Sequence, residues 1–321
     1  MPDTGHIPVL ADQILSVLAP EPGQVCLDCT VGRGGHAAMI VPRLAPGGRF
    51  VGLDLDPANV HFASQRLADA PVSVDVSRAN FADARGVLDE LGICRVDLLL
   101  ADLGCASNQL DEPGRGFSFS SDGPLDMRLN TGQARTAADL VNRLPQAELA
   151  DLIYQNGEER LSRKIARKIV EFRHRTPIQT TGQLAQIVRN AYGGARRTRR
   201  PKGPARRRHS IDPATRTFMA LRIAVNAELE ALDRLLAVLC SLVRPGGAAA
   251  VVSFHSLEDR RVKQAFAALR RDGLTQWLTR KPLVADEVER AENPRSRSAK
   301  LRAVRLASAD VQARDPPTAT Q

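Results

Sequence analysis

The chain has 321 residues, 43% of them hydrophobic, which is enough for one large domain with an insertion or for two domains. Its formal net charge of +9 favours a polyanionic partner, nucleic acid or an anionic membrane surface. No stretch approaches ~20 apolar residues, which excludes a membrane-spanning helix. Met1 to Ala11 lacks the basic-then-apolar plan of a signal peptide, so a cytoplasmic protein is expected. The five cysteines, Cys26, Cys29, Cys94, Cys105 and Cys240, are odd in number and scattered, which suits reduced thiols. Cys26 and Cys29 have CxxC spacing, but no second pair follows, so no metal site is expected.

Gln24 to Cys29 reads as a short buried strand, and helical spacing follows through Ala37, Ile40, Val41 and Leu44. Pro46-Gly47-Gly48 turns the chain into a second strand, Arg49 to Asp54. Val72 to Val76 is a weaker third strand. Val96 to Leu103 is a fourth, apolar enough to lie inside a parallel sheet. The alternation predicts an α/β fold with right-handed crossovers.

The rhythm then stops. Asp111 to Asn130 is rich in Gly, Pro, Ser and Asp and reads as a loop. Ala134 to Ile187 is helical in pattern, with Gly157 to Arg173 placing Leu161, Ile165, Ile169 and Phe172 on one face. Arg196 to Arg208 is a basic run with two prolines, expected to be a disordered linker. Asp212 as N-cap and Pro213 at the first helical position then open a helix. Its apolar stripe runs through Phe218, Leu221, Val225, Leu229, Leu232, Leu236 and Leu239. Pro245-Gly246-Gly247 ends that helix and feeds a fifth strand, Ala248 to Phe254. Two more strands are expected near Arg280 to Val284 and at Lys300 to Leu306, completing seven. The tail from Ala307 reads as disordered. The expected organisation is a discontinuous sheet domain, 1–110 and 213–321, interrupted by a mostly helical domain, 111–212, that carries the basic linker 196–208.

The turn Asp28-Cys29-Thr30-Val31-Gly32-Arg33-Gly34-Gly35-His36 lies between the first strand and the first long helix. Gly32, Gly34 and Gly35 let backbone approach a ligand and adopt positive φ. Asp28 can meet a cationic or amine-bearing group. Asp54, about twenty residues beyond Gly34, sits where a carboxylate takes both ribose hydroxyls of an adenosine. Gly32-x-Gly34-x-x-Ala37 also fits the dinucleotide fingerprint. Against a dinucleotide stand Asp28, which would face a pyrophosphate badly, and Asp102, a carboxylate at the end of the fourth strand. The balance favours S-adenosylmethionine over NAD, and hence a Rossmann-like class I S-adenosylmethionine-dependent methyltransferase sheet with an inserted helical domain.

Longer motifs add a resemblance. DCTVGRGGH (28–36), DLGCASNQLD (102–111), RGFSF (115–119), GPLDMRLN (123–130), GEERLSRKIARKIVEFR (157–173), PATRTFMALRIAVNAEL (213–229), SFHSLEDRRVK (253–263) and NPRSRSAKLR (293–302) follow in order. The chain resembles the bacterial 16S ribosomal RNA (cytosine-N4)-methyltransferase family from His6 to Leu306. The resemblance implies methyl transfer from S-adenosylmethionine to the exocyclic N4 of a cytidine in the decoding region of the small ribosomal subunit. It places cofactor contacts on Gly34, Gly35, His36, Asp54, Phe81, Asp102 and Gln109. Of these, the residues alone had marked the turn, Asp54 and Asp102; Phe81 suits an apolar wall for the adenine. The sequence departs from the family pattern at Cys105 and Asn108 (usually Val and Pro), Asp212 (usually His) and Met219 (usually Gln).

Cytosine N4 is a poor nucleophile, so the enzyme must align it, and alignment supplies roughly 7–11 kcal/mol of such barriers. Asp102 is the expected catalytic carboxylate, by direct displacement without a covalent intermediate. His255, ending the fifth strand, could hold RNA or relay a proton, and Asp126 with Arg128 could close over the substrate. Cys105 keeps open the alternative of C5 chemistry, which needs an attacking cysteine. A non-catalytic RNA-binding factor is the remaining alternative. Expected RNA contacts are Arg115, Arg128, Arg163, Arg167, Arg197, Arg200, Arg207 and Arg216, with Phe117 and Phe119 to stack on the target base once it leaves its stack. The partner is expected to be 16S rRNA within the small subunit. Monomer and homodimer stay open.

Overall fold

The computed structural model describes residues 8–106, 109, 112–196 and 212–308. It divides into two compact units, Met1–Gly104 with Leu229–Gln321, and Cys105–Glu228.

The first unit is a seven-stranded sheet of order β3-β2-β1-β4-β5-β7-β6. Its strands are β1 (Val25–Asp28), β2 (Arg49–Asp54), β3 (Ser73–Arg78), β4 (Val96–Asp102), β5 (Val243–Ser253), β6 (Thr275–Trp277) and β7 (Lys300–Leu306). β1 pairs in parallel with both β2 and β4, and β5 continues in parallel beside β4. β7 enters antiparallel between β5 and β6. Because the chain first builds outward from β1 through β2 and β3 and then returns to β4, the order reverses between β1 and β4. The carboxyl ends of strands at such a reversal form the crevice where α/β sheets bind ligands. Asp28, Asp54 and Asp102 end β1, β2 and β4.

Side-chain alternation sends each strand to two cores. Leu27, Leu99, Ala101 and Val251 join one apolar cluster with the helices α4 (Ala84–Glu90), α10 (Glu228–Leu242) and α11 (Ser256–Arg271). Cys26, Leu98, Leu100 and Val252 join the other, with α1 (Ala11–Leu18), α2 (Gly35–Ile40) and α3 (Pro57–Arg66). Cys26 and Cys29 fall in opposite clusters. Burial pushes both thiols well above their usual range.

The second unit holds α5 (Ala137–Arg143), α6 (Gln146–Gly157), α7 (Ser162–Arg173), α8 (Thr181–Arg196) and α9 (Ala214–Asn226) around its own apolar cluster. No described helix of either unit is long and apolar enough to cross a membrane.

The structure differs from several expectations. The long helix after Asp212 is two helices, because Ala227 takes a left-handed conformation (φ 49°). Its stripe divides accordingly: Phe218, Leu221 and Val225 fill the core of the second unit, whereas Leu232, Leu236 and Leu239 pack on the sheet. The second compact unit, Cys105–Glu228, includes α9. Pro245-Gly246-Gly247 lies inside β5, where the pairing jumps from Val96–Val243 to Leu98–Ala248; a Cβ on Gly247 would meet the Asp97 carbonyl oxygen at 2.5 Å. The sixth strand is Thr275–Trp277, and the expected strand near 280–284 contributes only the bridge Leu283–Leu301. Gly157 ends α6 and does not start α7.

Candidate active site

The turn after β1 is built on two left-handed glycines, Gly32 (φ 54°) and Gly34 (φ 75°), and Gly34 caps α2. Both conformations are strained for any residue with a Cβ. Three strand ends are tied to this turn through hydrogen bonds. The Asp54 carboxylate accepts from the backbone N–H of Gly32 (3.0 Å) and Asp56 (2.7 Å) and from Asn59 Nδ2 (3.2 Å). Thr30 Oγ1 accepts from the Asp102 N–H (2.6 Å), while the Thr30 N–H donates to Asp28 Oδ1 (3.0 Å).

Asp28 is buried, and burial followed by repulsion from Asp54 pushes its carboxyl up to about 7 although Thr30 hydrogen bonds oppose the shift. Burial likewise raises Asp54 to about 6, against its hydrogen bonds from Asp56, Asn59 and Gly32. Asp102 lies well above the usual carboxylate range, through burial and then repulsion from Asp28 and Glu258. Its Oδ1 is sealed from solvent without a hydrogen-bond partner. Leaving such an atom unmatched costs about 1–3 kcal/mol, more for a charged group. Buried acids that repel one another and await a partner fit a cationic ligand. The sulfonium and α-ammonium groups of S-adenosylmethionine satisfy that need; a pyrophosphate would aggravate it.

His36 is buried, and its Nε2 donates to the Val9 carbonyl (3.0 Å), which leaves Nδ1 3.8 Å from Asp102 Oδ2. The ring thus stands beside the carboxylate and shapes the wall. Phe81 opens a short 3-10 turn after β3 and is partly buried against the sheet's apolar cluster. His255 serves as the N-cap of α11: its Nδ1 accepts from the Glu258 N–H at 3.4 Å, and its Nε2 lies 3.1 Å from Glu258 Oε1. Glu258 returns a bond from the Phe254 N–H (2.8 Å). The ring joins this reciprocal cap through Nδ1, and its Nε2 is sealed from solvent without a hydrogen bond.

Gln109 and the remaining expected residues belong to the second unit. Gln109 is buried, and its Oε1 accepts from the Ala106 N–H (3.0 Å). Asp126 is spent on Arg128, which donates from Nε (2.8 Å) and Nη2 (2.7 Å) in a bidentate pair; Arg128 Nη1 also reaches the carbonyls of Thr131 and Gln133. Arg115 donates to the carbonyls of Arg128 and Leu129. These three residues brace the loop and are not extended toward a ligand. Phe117 is buried, and Phe119 packs edge-on against Phe218 with ring centres 4.8 Å apart. Phe119 stays partly exposed, with the Arg189 guanidinium 5.6 Å from its ring centre. Cys105 packs partly buried against the same cluster. Arg163 and Arg167 on α7 are exposed, and Arg167 faces Glu171 at 3.7 Å. Arg216 is exposed and donates to the Glu158 carbonyl (3.3 Å). Arg197, Arg200 and Arg207 lie outside the described residues, as do the linker 197–208 and the tail from 309. Asp212 lies one residue before Pro213, the N-cap of α9, its carboxylate accepting from the Ala214 N–H (2.8 Å) while pairing with Arg189.

Two residues that sequence reasoning passed over organise the site. Thr30 joins β1 to β4 through its hydroxyl, and Glu258 holds the end of β5. The Glu three residues after His255 was visible as a capping signature. Thr30 carried no signal of its own.

A sheet of this order, with one antiparallel strand and a glycine turn among buried carboxyls at the reversal, defines an S-adenosylmethionine-dependent methyltransferase. The chain belongs to the MraW methylase family, whose model matches residues 3–307. It is 48% identical over 316 residues to Ribosomal RNA small subunit methyltransferase H of Syntrophotalea carbinolica, covering 94% of this chain and 97% of that one. The protein of the same name from Synechococcus sp. is 48% identical over 314 residues, covering 96% and 100%. That of Geobacter sp. is 44% identical over 320 residues, covering 95% and 99%.

Proposed function

We propose that this enzyme methylates the exocyclic N4 amino group of a cytidine in small-subunit ribosomal RNA, with the RNA held in the assembled subunit. The observation that carries the reading is Asp102: a half-buried carboxyl at the end of β4, its Oδ1 sealed from solvent and unpartnered, beside the glycine turn. When bound, S-adenosylmethionine supplies an electrophilic methyl group on a sulfonium centre. Asp28, Gly32, Gly34, Gly35, His36 and Asp54 would hold it, with Phe81 against the adenine; Gln109 joins this set on the family pattern alone.

Asp102 then has two tasks. Its carboxylate accepts a hydrogen bond from the N4 amino group, which fixes that nitrogen's orientation and raises its electron density. Once nitrogen has gained a methyl it carries an extra proton, and the same carboxylate, whose proton affinity is raised by burial, is placed to take it. General-base help of this kind is worth about 10²–10⁴-fold. The insert, with α7 and the basic run beyond α8, supplies cations that contact phosphates without reading sequence.

The test is mass mapping of methylated cytidine in small-subunit rRNA from cells with and without the gene, followed by in vitro transfer to purified subunits and to free rRNA. Loss of one N4-methylcytidine on deletion, restored by the purified protein, is the expected result. Restoration of a C5-methylated base instead would move the chemistry to Cys105.

A further inference from the structure

We propose that His36 is a second hydrogen-bond acceptor for the target amino group, its Nδ1 sharing the N4 protons with Asp102. The inference rests on the N4-methylating reading above and adds a residue to its chemistry. The family resemblance places His36 on the cofactor and gives its ring nitrogens no task toward the base.

His36 is the second residue of α2, and its buried imidazole has a tautomer fixed by the fold. Nε2 lies 3.0 Å from the Val9 carbonyl oxygen, which can only accept, so the proton of the neutral ring sits on Nε2. Nδ1 is then an acceptor. The segment that carries the Val9 carbonyl is itself held in place. The Leu10 N–H donates to Glu289 Oε1 (2.7 Å) on α12 (Glu287–Glu292). Pro8 packs on Gly35, where a Cβ would meet Pro8 Cγ at 3.0 Å.

Nδ1 faces Asp102 Oδ2 at 3.8 Å, with only 10% of the His36 side chain exposed. That separation exceeds a direct hydrogen bond, and a donor nitrogen about 2.9 Å from each atom fits between them. An amino group brings N–H donors to this point. The carbonyl oxygen of uracil would set another acceptor against the pair, so the pair selects cytosine at the position that Asp102 defines. Asp102 Oδ1, sealed and unpartnered, adds to the local excess of acceptors. Two acceptors also fix how the amino group is turned, which is the alignment its weakly nucleophilic nitrogen needs. The α-ammonium group of the cofactor has similar N–H chemistry, and the measurements below separate the two.

The experiment compares wild type, His36→Gln and His36→Asn in single-turnover methyl transfer to purified small subunits at saturating S-adenosylmethionine, with cofactor affinity and melting temperature recorded for each. Glutamine can still donate to Val9 from the place of Nε2 but offers no acceptor at Nδ1. Asparagine reaches the place of Nδ1 and gives up the Val9 bond. The expected result is a rate several-fold to about ten-fold lower for His36→Gln, the loss of one hydrogen bond, with a smaller fall for His36→Asn. Cofactor affinity should change less than the rate. The reverse order of the two variants would leave His36 a strut for Val9 and overturn the proposal. So would a loss confined to cofactor affinity, which would assign Nδ1 to the α-ammonium group. Nitrogen NMR on wild type saturated with S-adenosylhomocysteine keeps the test independent of how the variants fold. The His36 Nδ1 resonance should move when an rRNA fragment carrying the target cytidine binds, and far less when uridine replaces that base; an unmoved resonance would overturn the proposal. A wild type that makes no N4-methylcytidine would overturn the N4 reading and this role together.

Discussion

In the sheet unit the buried Asp28 and the half-buried Asp54 and Asp102 are pushed upward, whereas in the insert Asp126, Asp139 and Asp212 are paired and pulled downward. Arg128 forks onto Asp126 and lowers it against the opposing effect of burial; Thr136 caps and lowers Asp139; Arg189 and the Ala214 N–H lower Asp212. The insert's carboxylates are thus stabilised by partners in the fold itself. In the sheet, Asp28 and Asp54 stay pushed upward although they accept hydrogen bonds from the fold, and Asp102 Oδ1 has no partner, so a cationic ligand would relieve their electrostatic cost. The contrast separates residues that maintain shape from residues that bind, although both kinds are aspartates.

The largest effect should come from Asp102→Ala, which removes the unpartnered carboxyl. Single-turnover methyl transfer should fall about 10²–10⁴-fold while the protein still folds; an undiminished rate would remove Asp102 from the chemistry. Asp54→Ala comes next. Lost hydrogen bonds to a charged group cost roughly 1.5–3 kcal/mol, so calorimetry should find S-adenosylmethionine bound ten- to a hundred-fold more weakly.

The contrast also has a pH signature. Folded Asp28 and Asp54 keep their protons to about 7 and 6, whereas unfolded carboxyls lose theirs near pH 3.9. Between those limits the native state binds more protons, so stability of the ligand-free protein should fall, by a few kcal/mol, as pH rises from about 4 to 7. Melting curves across that range test it. Saturating S-adenosylmethionine and the Asp28→Asn variant should each flatten the fall, and a flat profile for the free wild type would refute the buried-acid account.

A smaller effect is expected from Asp126→Ala. Losing the brace should lower turnover while leaving cofactor affinity unchanged, and equal loss of both would place Asp126 with the binding acids. Cys105→Val should be nearly silent in methyl transfer, since the thiol packs against apolar neighbours; complete loss would revive a covalent route.

Much of the sheet was legible because its strands are short apolar runs bounded by turn residues. β2 and β7 coincide with their expected limits, and β1 and β4 lie within a residue of theirs at either end. β6 escaped because three residues at a sheet edge leave little pattern, and the α9–α10 break because Ala227 carries no turn signal. In the site, Asp28, Asp54 and Asp102 were legible as acids at strand ends. At His255 and Phe117 the motif could not settle the role, because a polar or aromatic residue looks the same in sequence whether it faces a ligand or completes a cap or a core.

The sequence by itself determined the α/β rhythm, the glycine turn and the family, since these depend on local periodicity and on residue types at fixed spacing. Only the tertiary structure decided which acids have partners. Charge balance depends on side chains distant in sequence, as when Thr30 meets the Asp102 backbone across 72 residues, or when Asp259 meets Lys300 and Arg302 across 41 and 43. Those encounters fix the burial and the fields that make one aspartate a strut and another a ligand.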